Sequence, residues 1–274
     1  MTEEGRSGVA LGVETTHAST MLRRLTALAA LGALFVGAGC TDDKPAGPDP
    51  GVLAAVTTAL KSRMDTIHDV DVEGSIDDGH GQRLAFRYAM QQPGFTAGEL
   101  LTPTGERARA FVFDGKTLAI LDDATKLAVK KDLAADEEGM LLTLHDVFAT
   151  FVCEGWRPPL LKATGTTAAR DGDIVTLTSA VGEGGVASQR VRVKPDGAFV
   201  DKATLADDGR VLAGTTVLTE AKDAATGLTF PTSWRVTEGQ ETGTVTLSTW
   251  RINQGVPAAR FSTATPAGYT ERAQ

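Results

Sequence analysis

The chain has 274 residues with 27 basic and 35 acidic side chains, a net charge of −8, and no basic run, so a nucleic-acid partner is not expected. Hydrophobic residues make up 42%, enough for a packed core, and two cysteines are too few for a disulfide framework.

Residues 1–20 (MTEEGRSGVALGVETTHAST) carry no recognisable signal and read as the product of a start assigned too early. From Met21 the chain runs MLRRLTALAALGALFVGAGC. Arg23 and Arg24 form a basic head, and Leu25 to Val36 is apolar except for Thr26. That run is too short to span a bilayer, which takes roughly 20 apolar residues, and has the length of an export-signal core. Small Gly37, Ala38 and Gly39 precede Cys40. The stretch resembles the lipobox of bacterial lipoproteins, with Gly37 where the usual pattern has Leu. The resemblance implies that residues 21–39 are a lipoprotein signal peptide and that Cys40 becomes the lipidated first residue. With Cys40 lipidated, Cys153 has no intramolecular partner and reads as a small buried hydrophobe in an apolar stretch.

Residues 40–50 form a short polar tether rich in Pro, Gly and Asp. Asp49-Pro50 then reads as an N-cap followed by proline at the first helical position. Val52, Val56, Ala59, Leu60, Arg63, Met64 and Ile67 recur at helical spacing and predict a first helix with one apolar face. After His68 the period changes to two. Leu84, Phe86, Tyr88 and Met90 alternate with Ala85, Arg87 and Ala89, and Phe111 and Phe113 flank Val112. Further strands are expected at 174–178, 191–193, 199–205, 216–218 and 245–252, rich in Val, Thr and Leu. Five Asp-Gly pairs begin at Asp78, Asp114, Asp171, Asp196 and Asp208; such pairs favour tight hairpins and argue for an antiparallel meander. A second helix is expected from Asp136, with Met140, Leu141, Leu144, Val147, Phe148 and Phe151 forming an apolar stripe. Pro158-Pro159 prevents its continuation.

The expected fold class is α+β and mostly β: a curved antiparallel sheet, an unclosed half-barrel, with two helices covering the concave face. Residues 51–265 form one domain in this reading, and 266–274 a C-terminal tail. FDGKTLAILDDATKLAVKKDL (113–133) and LAFRYAMQQPG (84–94) resemble strands of the LolA/LolB-like lipoprotein carriers, and INQGVPAARF (252–261) resembles their closing segment. The resemblance implies a cleft that shields acyl chains of a lipid or lipoprotein. Where the carriers place Trp or Tyr after the DGKTL turn, this chain has Ala119, Ile120 and Leu121. The expected anchor favours a LolB-like receptor or a mycobacterial-type lipid-binding lipoprotein over a soluble shuttle. Phe86, Tyr88, Phe111 and Phe113 on the sheet, and Met140, Leu144, Phe148 and Phe151 on the second helix, are the candidate cleft residues; taken one by one, each fits ordinary core packing better.

No catalytic residue, metal site or cofactor is expected. The chain has no nucleophile elbow, zinc-protease motif, paired cysteines or phosphate-cradling loop. His68, His80 and His145 stand apart in sequence, and the acidic stretch 69–81 reads as a solvated hairpin without EF-hand spacing. The expected protein is a monomer in the bacterial envelope, held to a membrane by its lipid and facing the periplasm, the outer membrane being favoured. The alternatives are a regulatory or scaffold lipoprotein acting through protein contacts and, behind it, a hydrolase.

Overall fold

A computed structural model describes residues 49–92, 94–132, 165–183 and 186–273. Helix α1 (Pro50–Thr66) begins as its sequence dictates. The Asp49 carboxylate accepts from the Gly51 N–H at 2.8 Å and the Val52 N–H at 3.3 Å, satisfying two donors that the first turn leaves open. At the other end the orphan carbonyls are met by side chains from afar. The Asn253 amide donates to the Thr66 carbonyl at 2.7 Å, and Gln92 donates to the carbonyls of Met64 at 2.9 Å and Ile67 at 2.6 Å. Val56, Leu60 and Arg63 are the residues of α1 that are buried.

Fourteen strands follow among the described residues: β1 (Asp69–Asp77), β2 (Arg83–Gln91), β3 (Phe95–Leu101), β4 (Arg107–Asp114), β5 (Thr117–Asp122), β6 (Leu127–Asp132), β7 (Thr167–Asp171), β8 (Ile174–Glu183), β9 (Val186–Val193), β10 (Phe199–Leu205), β11 (Val211–Lys222), β12 (Thr229–Glu238), β13 (Glu241–Ile252) and β14 (Thr270–Ala273). They make one sheet in the order β14-β6-β5-β4-β3-β2-β1-β13-β12-β11-β10-β9-β8-β7. The sheet is curved and unclosed, with β14 and β7 at its edges. Neighbours are antiparallel except β14, which lies parallel to β6. Two meanders are thus joined where β1 meets β13. The expected half-barrel is found, and every Asp-Gly pair sits between antiparallel neighbours, its glycine at a φ of 74°, 90°, 54°, 80° or 81° in chain order. That conformation is open to glycine and costly for most other residues, which is why these dipeptides mark the turns.

Residues 69–81 differ from their expected solvated hairpin. Only 78–82 is turn; 69–77 is strand β1 in the middle of the sheet, with Val70, Val72, Gly74 and Ile76 buried or nearly so on one parity. Its acids occupy the other parity, and Asp77 and Asp78 spend their carboxylates on turn N–H groups at 2.8–2.9 Å. The expected second helix, with Met140, Leu144, Phe148 and Phe151, and both cysteines, Cys40 and Cys153, lie outside the described residues.

Both faces of the sheet carry core. On the face that α1 covers, the inner face, Val56 and Leu60 pack with Ala168, Val175, Leu177, Val191, Val193 and Phe199. On the outer face, Ala89, Ala97 and Val112 pack against Val256 and Phe261 of the segment that follows β13. Phe261 belongs to a single 3-10 turn (Ala258–Phe261), and its ring lies 5.7 Å from that of Phe95. Tyr269 closes a third cluster over Ala110, Leu121 and Ala128. Small residues on the outer parity of β2–β5 are what let this segment lie close against the sheet.

Candidate functional site

The strand register decides which side chains share a surface. Gly74 of β1 pairs with Phe86 of β2, and Val72 with Tyr88. Tyr88 pairs with Gly98 of β3, Gly98 with Phe111 of β4, and Thr96 with Phe113. Paired residues of antiparallel strands point to the same face. Phe86, Tyr88, Phe111 and Phe113 therefore stand on one face, together with Val70 and Val72. Following the pairs through Ile76, Val245, Trp234 and Val217 shows that this is the face α1 covers. All four aromatic residues named from the sequence are brought together, and all are buried, none more than 7% exposed. Across β5 the burial falls away: Leu118 is 5% exposed and Ile120, opposite Phe111, is 40% exposed.

Two of these rings lie flat because glycines make room for them. A Cβ on Gly98 would stand 2.0 Å from Cε1 of Phe111, and one on Gly74 would stand 2.8 Å from Cζ of Phe86. Each ring thus covers the backbone of the neighbouring strand instead of projecting across the face.

One residue of this layer was not singled out from the sequence. Arg63, on the buried stripe of α1, is 1% exposed. Its Nη2 donates to the carbonyl of Thr229, and its guanidinium lies 4.6 Å over the ring of Phe230. Nε and Nη1 have no hydrogen-bond partner among the described residues. Burial lowers its pKa to about 10, against the raising influence of Asp196 and Glu220, so it is a cation at neutral pH. The available signal was its position three residues beyond Leu60, on the apolar stripe, where a charged head is unusual.

The outer face holds a different feature, a groove of about 730 Å³ at the β3–β4 end. Its charges are mostly spent on one another. Arg107 pairs with Asp123 at 2.7 Å, and Lys126 approaches the same carboxylate at 3.5 Å. Arg87 lies 3.9 Å from Glu99. The Tyr269 hydroxyl donates to Asp123, and Arg107 donates to Tyr269 at 3.2 Å, tying the C-terminal segment to the sheet. His80 lies in the β1–β2 turn and His68 between α1 and β1. No three His, Cys, Asp or Glu side chains among the described residues are placed to hold a metal ion.

No protein family matches the chain, and no curated protein does. Solved structures do resemble it. A DUF1329 family protein from Desulfovibrio piger is 14% identical, with 79% of this chain and 98% of that one covered and a TM-score of 0.51. A domain from Vibrio parahaemolyticus described as an outer membrane lipoprotein-sorting protein is 11% identical over 76% of this chain and 95% of its own, TM-score 0.47. A LolA superfamily protein from Nitrosomonas europaea is 16% identical over 76% and 97%, TM-score 0.45. At these identities the likeness is one of fold.

Proposed function

We propose that this protein is a lipid-anchored lipoprotein of the bacterial envelope that takes the acyl chains of a lipid or lipoprotein against the inner face of its half-barrel. The observation that carries the reading is the gathering of Phe86, Tyr88, Phe111 and Phe113, from strands that alternate in parity, onto one apolar face, the same face on which α1 packs over β7–β10. Outer membrane lipoprotein sorting, the description borne by one similar fold, is a task of this chemistry. Each methylene withdrawn from water is worth about 0.8 kcal/mol, so a chain of about ten carbons gains on the order of 8 kcal/mol before ordering costs. No bond is made or broken, and no catalytic group, metal or cofactor is required. In this reading Met140, Leu144, Phe148 and Phe151 complete the cleft, Cys40 carries the anchor after removal of residues 21–39, and the domain of residues 51–265 acts as a monomer facing the periplasm from the outer membrane.

A second reading has its own observation. The four aromatic residues are all buried, as residues of a filled core are, and a protein with such a core would act as a scaffold or regulator through its surface. Native mass spectrometry of residues 41–274, expressed in a bacterial periplasm and purified without detergent, separates the two. An adduct of lipid mass, or uptake of added phospholipid or acylated peptide, is expected. A bare protein mass that stays bare on addition of both would overturn acyl binding and leave the scaffold.

A further inference from the structure

We infer that Arg63 is the polar end of the cleft and receives the oxyanion of an amphiphile, a carboxylate or phosphate, whose chain lies along the inner face; this rests on the acyl-binding reading above. The comparison with the other arginines carries the inference. Arg107 pairs with Asp123, Arg109 with Asp122, Arg192 with Asp201 and Arg251 with Asp71, although their side chains are 29–53% exposed and water could serve them. Among the described residues Arg63 is the fully buried arginine, and it has no carboxylate there in contact. The two acids that act on it electrostatically are engaged elsewhere: Glu220 by Lys194 at 2.6 Å, and Asp196 by the Ala198 N–H at 3.0 Å.

A guanidinium has five N–H donors and no acceptor. Thr229 takes up Nη2, and the ring of Phe230 faces the cation, but the three N–H groups on Nε and Nη1 are unspent. A buried cation wants both a negative charge and acceptors, and a carboxylate or phosphate supplies the two together in the fork geometry that arginine prefers. A neutral ester supplies acceptors alone. Because Arg63 is enclosed, the oxyanion reaches it as the last turn of α1 moves off Phe230, and that turn is held from outside by the side chains of Gln92 and Asn253 rather than by further helix.

The test compares three ligands with the same sixteen-carbon chain: palmitate, palmitoyl-lysophosphatidylglycerol and neutral monopalmitoylglycerol. Each is titrated calorimetrically into residues 41–274, which hold every element of the sheet and α1, and into the same protein with Arg63→Met or Arg63→Lys. At least one anionic ligand is expected to bind ten times or more tighter than the neutral one. Arg63→Met should abolish that preference, and Arg63→Lys should keep part of it. Preference for palmitate alone assigns a free carboxylate, and preference for the lysolipid assigns a headgroup phosphate. Equal affinity for charged and neutral ligands, or a preference that survives Arg63→Met, overturns the inference while acyl binding stands. Failure of all three ligands to bind overturns acyl binding itself, and the inference with it.

Discussion

Gly98→Ala should destabilise this protein, although alanine is by backbone entropy alone the better residue inside a strand by roughly 0.5–1 kcal/mol. The new Cβ would stand 2.0 Å from Cε1, 2.7 Å from Cζ and 2.9 Å from Cδ1 of Phe111. Ordinary carbon–carbon contact is about 3.5–4.0 Å, so the ring must withdraw by roughly 1.5 Å. Phe111 is 7% exposed, and its ring has packed neighbours on the way out. Overpacking of this kind costs about 1–3 kcal/mol. For a domain of this size each kcal/mol lowers the melting temperature by about 2–4 °C, so a fall of roughly 3–10 °C is expected in a thermal scan followed by circular dichroism. A double-mutant cycle isolates the cause. With Phe111→Leu in place the methyl has room, so the pair should be less destabilised than the sum of the single changes by at least about 1 kcal/mol. A neutral or stabilising Gly98→Ala, or strict additivity in the cycle, would refute the argument that the glycine exists to seat the ring.

At Gly74 the first obstacle is the carbonyl oxygen of Thr246, 2.4 Å from the would-be Cβ, so Gly74→Ala must part β1 from β13; it should cost more than Gly98→Ala in urea unfolding, and Phe86→Leu should not rescue it. Asp49→Ala removes the cap of α1 and should lower stability by about 1 kcal/mol in the same assay. Burial alone would raise the Asp123 carboxyl, but hydrogen bonds from Arg107 and Tyr269 and the charge of Arg107 outweigh it, and the net shift is downward. A carboxyl depressed in the folded state contributes stability above its unfolded pKa, near 4, and loses it as pH falls further through the folded value. Asp123→Asn should therefore be less stable than the parent at pH 7 and lose less on acidification from pH 5 to pH 2, measured by urea midpoints; equal slopes would refute the assignment. Cys40→Ser should accumulate as uncleaved precursor without incorporated palmitate in a labelled envelope fraction, and normal processing of that variant would refute the lipid anchor.

The parts of this protein legible in its sequence are those fixed by local physics. An Asp-Gly pair needs only its own backbone to favour a tight turn, and all five such pairs fall at hairpins. Asp49-Pro50 likewise carries its cap within three residues, and the alternation of Phe86, Tyr88 and Met90 states which residues share a face, though not which face. What tertiary structure decided is everything that depends on distant strands. Only register across β1–β4 and β13–β10 places the four aromatics on the face that α1 shares, and only the packing of α1 against that face turns Arg63 from one more helical cation into a buried one. The acidic look of residues 69–77 concealed a central strand, because its acids take the outer parity while β2 and β13 bury the other. The segment after β13 gave no periodic signal at all. It is held by Phe261 in an outer-face pocket of small residues and by Tyr269 on Asp123, contacts made across more than a hundred residues of chain, which no local pattern encodes.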